Sequence, residues 1–208
     1  MQILEHGQAQ ERTLLFFPCT AEPVWAFADT ITLLSQRWHV FQVVYDGHQP
    51  EYPGDFTSVE QTVDEVISYL KSHGVSRLGG AYGCSMGGSV ALLVALGQLI
   101  KIKHCVMDGG ITPYQLPWIV TRFIALKDYL MMMIGRTGGV GLLEKAFATD
   151  EYTKEDLQYV ADILRHCSRK TLWRTFDSCN NYKVPDPVPT IDTKLHYLSL
   201  IHISEPTR

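Results

Sequence analysis

The stretch Gly83-Cys84-Ser85-Met86-Gly87 decides the fold of this chain, because it joins a predicted strand to a predicted helix. The residues before it, Arg77 to Cys84, favour a strand, and the apolar residues Ser89 to Ile100 predict a buried helix. A serine on so sharp a turn needs neighbours with minimal side chains, and the two glycines of the stretch supply them. The turn lifts the Ser85 hydroxyl to the carboxyl-terminal edge of a sheet, beside a helix N-terminus that favours negative charge. Ser85 is therefore a candidate nucleophile.

Strand and helix patterns alternate on both sides of this turn. Apolar runs predict strands at Thr13 to Phe17, Val40 to Tyr45 and His104 to Met107, and helical spacing predicts a helix at Pro23 to Gln36. The pair Thr57 and Glu60 is typical of a capping box, and it predicts a further helix that ends at Gly74. This rhythm predicts an α/β fold, with a mostly parallel sheet flanked by helices.

The alternation stops after residue 110. Residues 111–190 show helical patterns, and we interpret them either as a cap over a site or as additional packing helices. Met131 to Met133 and the nearby aromatic residues favour an apolar substrate on the first interpretation and core packing on the second. Residues 191–197 begin a returning strand, whose pattern covers Lys194 to Leu198. We therefore expect residues 1–110 to form the N-terminal part of a core, residues 111–190 to be a helical insert, and residues 191–197 to return to the core.

The turn carries a family resemblance. Gly83-Cys84-Ser85-Met86-Gly87-Gly88 resembles the Gly-x-Ser-Met-Gly-Gly nucleophile elbow of the α/β-hydrolase family. Asp46-Gly47-His48 falls where that family often has an Asp-x-x-Gly-His-Gly turn, and the helical insert falls where its cap normally sits. The resemblance implies a serine hydrolase that acts on an ester, thioester or related acyl compound through an acyl-enzyme on Ser85. An acyltransferase and a non-catalytic ligand-binding protein on the same scaffold remain alternatives.

The resemblance also implies an oxyanion hole and a triad. The hole would use the backbone N–H groups of Met86 and Cys19, with Thr20 as the alternative to Cys19, although many members have His-Gly at that point. Asp108 ends the strand after the nucleophile helix and is a candidate acid, the alternative being that it caps its own turn. We expect His48 to shape its loop rather than act as the base. We also expect the Cys84 side chain to point away from the Ser85 hydroxyl and not to react.

The end of the chain has an unusual sequence. Leu198 to Arg208 resembles a translated transposase sequencing adapter, the alternative being a natural tail. We therefore expect residues 198–208 to be artefactual and the gene to be interrupted near Tyr197. The last strand and helix of the fold, together with the catalytic histidine, would then be missing, and His202 would not be the base. The same codons in genomic DNA would contradict this expectation.

Composition excludes several classes of function. A net charge of −4 on 208 residues favours neither nucleic acid nor an anionic membrane surface as a partner. No apolar run approaches the ~18 residues of a membrane span. The resemblance, together with the Met-rich insert, implies an apolar small-molecule acyl substrate as the partner. The five cysteines are spread along the chain without Cys-x-x-Cys spacing. This spacing argues against a disulfide framework or a zinc site, and we expect no metal or cofactor and a reducing, cytoplasmic setting.

Overall fold

The computed structural model describes residues 1–20, 22–49, 51–110, 117–146 and 153–198. Within these ranges, the strands are β1 (Gln2–His6), β2 (Thr13–Phe17), β3 (His39–Val44), β4 (Arg77–Cys84), β5 (Lys101–Asp108) and β6 (Lys194–Leu198). They form one sheet in the order β1-β3-β2-β4-β5-β6. The β1 strand runs antiparallel to β3, whereas all the other neighbouring pairs are parallel.

Helices connect these strands. They are α1 (Ala28–Ser35), α2 (Val59–Ser72), α3 (Met86–Gly97), α4 (Trp118–Gly138), α5 (Val140–Ala146), α6 (Lys154–His166) and α7 (Arg169–Asn181), and a short 3₁₀ helix at Val24–Phe27 precedes α1. The first three connect parallel strands, and the other four lie between β5 and β6 along the chain. None of these described helices is both long and apolar enough to cross a membrane.

The sheet is covered on both faces because the apolar residues of its central strands alternate. Leu15 and Phe17 of β2 lie in the main core, together with buried residues of α2 and α3. Leu14 and Phe16 point to the opposite face and pack with Ile31 of α1. Successive side chains of a strand point to opposite faces, so a run of five buried or half-buried residues serves two layers. The α3 helix is buried from its first residue to Leu96, as a helix that is apolar nearly all round should be.

The four helices after β5 are attached to the core through α7. Cys179 and Tyr182, at the end of this helix, are buried in the main core. At its beginning, Lys170 forms an ion pair with Asp55, whose carboxylate lies 2.8 Å from the lysine Nζ. The α4 helix packs against both α6 and α7. The inserted helices therefore rest on the sheet layer at the side where α2 and α3 lie.

The predicted α/β class and the mostly parallel sheet are confirmed, but some details of the prediction were wrong. The β1 strand was not predicted, and α3 begins at Met86 rather than Ser89. The N-cap of α2 is Ser58 and not Thr57, since the Ser58 hydroxyl accepts a hydrogen bond from the Gln61 amide at 3.0 Å. The adapter-like tail beyond residue 198 and residues 111–116 and 147–152 of the predicted insert lie outside the described residues.

Candidate active site

Ser85 lies on a sharp turn between β4 and α3. Its backbone has φ 51° and ψ −117°, a region that residues with a side chain rarely adopt. Two hydrogen bonds hold it there: the Ser85 amide donates to the carbonyl oxygen of Asp108 at 2.8 Å, and the Gly88 amide donates to the Ser85 carbonyl oxygen at 2.9 Å. A strained serine that is held by its surroundings is typical of a functional site.

The glycines of the turn are required by close backbone approaches. A Cβ atom at Gly83 would overlap with backbone atoms of Gly87, four residues later in the chain. A Cβ atom at Gly87 would lie 2.5 Å from the Phe17 carbonyl oxygen and 2.7 Å from that of Pro18. Because these neighbours are main-chain atoms, they cannot move aside without distorting β2. The spacing of the motif is therefore a consequence of how tightly the turn packs against the end of that strand.

The loop after β2 lies beside the turn because β2 and β4 are adjacent parallel strands. Phe17 pairs with Gly83 in the sheet register, so the two strands end at the same level. Cys19 and Thr20 consequently line the same cavity as Ser85. Met86 begins α3, where backbone N–H groups have no partner within the helix. The structure thus brings both segments that were predicted to form the oxyanion hole to the serine.

A cavity of about 320 Å³ opens above Ser85 and is called here the Ser85 cavity. One side is formed by the loop after β2, which contributes Cys19, Thr20 and Glu22, and Tyr159 adds a phenol from α6. The other lining residues are apolar side chains of α4, α6 and α7: Met132, Val160, Ile163, Leu164, Leu172 and Phe176. The inserted helices therefore form an apolar wall opposite the serine.

Two polar atoms of residues that line this cavity have no hydrogen-bond partner among the described residues. They are Oε2 of Glu22 and the hydroxyl oxygen of Tyr159, and both are buried. Burial, followed by the negative charge of Glu22, raises the pKa of Tyr159 well above its usual value. A buried polar atom without a partner is costly, so a ligand with complementary groups would stabilise this arrangement.

Asp108 lies at the end of β5, directly beside the turn, but its carboxylate already has a partner. Its Oδ2 atom accepts a hydrogen bond of 2.6 Å from the Tyr82 hydroxyl. Burial and this bond raise the pKa of Tyr82 above its usual range. None of the described residues that line the Ser85 cavity is a histidine. Among the described residues, then, Asp108 is paired with a tyrosine of the neighbouring strand and with no imidazole.

His48 is buried away from Ser85. Its ring stacks on Phe56, and Nε2 lies 3.3 Å from the Thr175 hydroxyl. Burial lowers the pKa of His48 from 6.5 to about 3, which keeps the ring neutral. The residue is absent from the lining of the Ser85 cavity. It connects the loop after β3 to α7 and has no contact with the candidate nucleophile that would let it accept a proton.

Comparison with known proteins identifies the fold. No family model matches the chain, and no curated protein is significantly similar to it. Among solved structures, an α/β-hydrolase family protein from Desulfitobacterium hafniense has a TM-score of 0.72 and 21% identity, and the match covers 94% of this chain and 78% of that one. The chain has the α/β-hydrolase fold.

Proteins with different activities share this α/β-hydrolase fold with the chain. The enol-lactonase from Burkholderia xenovorans LB400 matches with a TM-score of 0.61 and 15% identity, over 95% of this chain and 87% of its own. The bottromycin epimerase BotH matches with a TM-score of 0.62 and 15% identity, over 89% and 71% respectively. At these identities the likeness shows the α/β-hydrolase fold alone, and function must be argued from the site.

The sequence did not indicate two polar residues that line the Ser85 cavity. Glu22 and Tyr159 lie far apart in the chain and belong to no motif, so no pattern pairs them. A contact between rings brings their elements together: Trp25, three residues after Glu22, packs edge-on against Tyr159 with ring centroids 4.6 Å apart.

Among the described residues, no three His, Cys, Asp or Glu side chains are grouped as metal ligands. His202 lies outside the described residues.

Proposed function

We propose that this chain is a serine hydrolase that cleaves esters, thioesters or related acyl compounds, with Ser85 as the nucleophile. The observation that carries the proposal is the strained Ser85 backbone, with φ 51°, at the N-terminus of α3 and on the lining of the 320 Å³ cavity. The names of matched proteins, which include a carboxylesterase and an enol-lactonase, support hydrolysis. The cavity also fits the proposed substrate, since a cavity of this size accommodates a small acyl compound.

In the proposed reaction, the Ser85 Oγ attacks the carbonyl carbon of the substrate. The negative charge that develops on the carbonyl oxygen is stabilised by the N–H groups of Met86 and Cys19, each donor being worth about 3 kcal/mol. The leaving group then departs and leaves an acyl-enzyme, which water hydrolyses. The apolar wall formed by α4, α6 and α7 holds the acyl chain and makes these helices the cap of the site.

The general base of the proposed reaction lies outside the described residues. Ser85 needs a base to remove its proton, and the described lining of its cavity offers no imidazole. Asp108, the candidate acid, is bonded to Tyr82, so we propose that it supports the turn. A site with donors but without a base retains only about 10³–10⁴-fold acceleration over water. From the described lining, we therefore expect Ser85 to react slowly but selectively.

Labelling with a fluorophosphonate tests the nucleophile. We expect slow, stoichiometric modification of the folded chain at Ser85, found by mass spectrometry on the tryptic peptide that spans residues 78–101. The label should disappear in Ser85→Ala and persist in Ser72→Ala, which removes an exposed hydroxyl at the end of α2. A label that spreads over several serines, or none at all, would contradict a nucleophilic Ser85. Rapid turnover of a 4-nitrophenyl ester would show that a residue outside the described cavity lining acts as the base.

Glu22 is expected to select substrates that carry a positive charge or an N–H donor. Its unpartnered carboxylate oxygen would pair with such a group, and a hydrogen bond to a charged partner contributes about 1.5–3 kcal/mol. Calorimetry should therefore show that hexylammonium binds at least about tenfold more tightly than 1-hexanol. Glu22→Gln should remove most of this difference. Glu11→Gln, which makes the same charge change at an exposed site, should keep it, and equal binding of both ligands by the wild type would contradict the role of Glu22.

A non-hydrolytic function is the second candidate, and the described cavity lining without a histidine favours one form of it, a scaffold that only binds a ligand. Acyl transfer to an alcohol or amine would use the same Ser85 chemistry with another acceptor. A scaffold that only binds its ligand would need no base. The bottromycin epimerase BotH indicates that the fold is not restricted to hydrolysis. The fluorophosphonate experiment distinguishes binding alone from both acyl chemistries, because only a nucleophilic serine is modified.

A further inference from the structure

Two of the five cysteine thiols meet at the candidate active site. The Cys19 thiol donates a hydrogen bond to the Cys84 sulfur, and the two Sγ atoms are 2.7 Å apart. The sheet explains this contact: β2 and β4 are neighbours, and Phe17 lies opposite Gly83. The next residues of both strands therefore emerge at the same edge of the sheet. The pairing of the strands, not proximity in sequence, brings the thiols together.

These two thiols differ from the other three in the chain. Cys105, Cys167 and Cys179 are buried, and burial raises the pKa of each above its usual value. Cys19 and Cys84 are only partly buried, and Cys19 lines the open Ser85 cavity. The hydrogen bond from Cys19 lowers the pKa of Cys84, whereas the same bond, burial and the charge of Glu22 raise that of Cys19. One thiol of the pair thus favours the reactive thiolate, and the other holds its proton.

We propose that Cys19 and Cys84 form a redox site, which a peroxide oxidises to a disulfide beside Ser85. A disulfide needs an S–S distance of about 2.05 Å. The sulfurs need to approach each other by less than about 1 Å from their present separation, and both side chains already point toward each other. The sequence led us to expect an unreactive Cys84, because its side chain should point away from the Ser85 hydroxyl. The neighbouring strand supplies the partner that the sequence could not show.

The proposed oxidation proceeds in two balanced steps. The Cys84 thiolate attacks one oxygen of hydrogen peroxide, breaks the O–O bond and becomes a sulfenic acid, while the released hydroxide takes up a proton as water. The Cys19 thiol then attacks the Cys84 sulfur and passes its proton to the departing hydroxyl. The S–O bond breaks, and the hydroxyl leaves with this proton as a second water molecule. Overall, two thiols and one peroxide give one disulfide and two water molecules, and the protein loses two hydrogen atoms.

The disulfide would tie the loop after β2 to the end of β4. This loop carries Cys19, and Ser85 follows Cys84 directly, so the bond would change the walls of the Ser85 cavity next to the serine. The inference does not depend on the hydrolase function, since it concerns the thiols and their contact. In a reducing cytoplasm the dithiol would be the resting state, and the disulfide would form only under oxidative conditions.

Peptide mapping of the chain tests this proposal. The folded protein is treated with hydrogen peroxide, its remaining thiols are alkylated under denaturing conditions, and trypsin is added. We expect a cross-linked pair of the peptides 13–37 and 78–101, which contain Cys19 and Cys84. Cys105, Cys167 and Cys179 should be recovered as alkylated thiols. Recovery of all five cysteines as thiols, or a mixture of linkages among them, would overturn the proposal.

Two single variants separate the roles of the thiols. In Cys19→Ser the sulfenic acid of Cys84 has no partner, so dimedone should trap it on peptide 78–101. In Cys84→Ser we expect neither a cross-link nor a dimedone adduct on Cys19. Near-ultraviolet circular dichroism of both variants should match the wild type before oxidation, which separates a change of chemistry from loss of the fold. Equal trapping at Cys19 and Cys84 would contradict the assigned order of attack.

Discussion

Replacing Gly87 by alanine is expected to lower the free energy of unfolding by about 1–3 kcal/mol, the usual cost of adding an atom to a closely packed site. The new Cβ atom would lie 2.5 Å from the carbonyl oxygen of Phe17 and 2.7 Å from that of Pro18. Both atoms belong to the main chain at the end of β2, so relief of the overlap must move the loop that carries Cys19. We therefore expect slower labelling of Ser85 together with lower stability.

Gly97 provides the matched control for this variant, because it lies in the same helix. It is exposed, and a Cβ atom built there meets nothing within 4 Å. Gly97→Ala should raise the free energy of unfolding by about 0.5–1 kcal/mol, since alanine loses less conformational entropy than glycine in a helix. Urea unfolding, followed by circular dichroism, measures both changes. Equal effects of the two substitutions would show that helix propensity, and not the contact with β2, determines the result.

Lowering the pH from 7 to 5 is expected to lower the stability of the protein by about 2 kcal/mol through His48 alone. Burial lowers the pKa of this residue from 6.5 to about 3. At a pH between these two pKa values, the His48 side chain binds a proton in the unfolded chain but not in the folded chain. A lower pH therefore favours unfolding. The contribution of the neutral His48 to the free energy of unfolding is fully present above pH 6.5, and it declines progressively as the pH falls toward 3.

A substitution that cannot titrate isolates this effect. His48→Gln keeps a polar end near the Thr175 hydroxyl and should flatten the dependence of the free energy of unfolding on pH between 7 and 5. His166→Gln removes an exposed imidazole at the end of α6 and serves as the control. Urea titrations across this pH range give the comparison. If wild type and His48→Gln have the same slope, His48 is not the buried neutral group that the structure describes.

Local patterns predicted much of the fold, because the burial of one face of a helix or strand gives its apolar residues a regular spacing in the sequence. The β6 strand has the predicted bounds, Lys194–Leu198, and α6 and α7 lie within residues 111–190, where helical patterns were predicted. The β1 strand was missed because most of its residues are only half-buried at a sheet edge, so their apolar and polar types do not alternate clearly. Thr57 and Ser58 are equally good caps by type, and only the contacts of the folded chain select Ser58.

The sequence by itself determined the α/β fold and Ser85 as the candidate nucleophile, since the turn needs glycines at fixed positions whatever surrounds it. Only the tertiary structure decided what surrounds that serine. Glu22 and Tyr159 share a cavity because α6 folds back over the loop after β2, and Cys19 contacts Cys84 because β2 pairs with β4. Such contacts depend on which distant segments pack together, and that choice follows from the burial of the whole core.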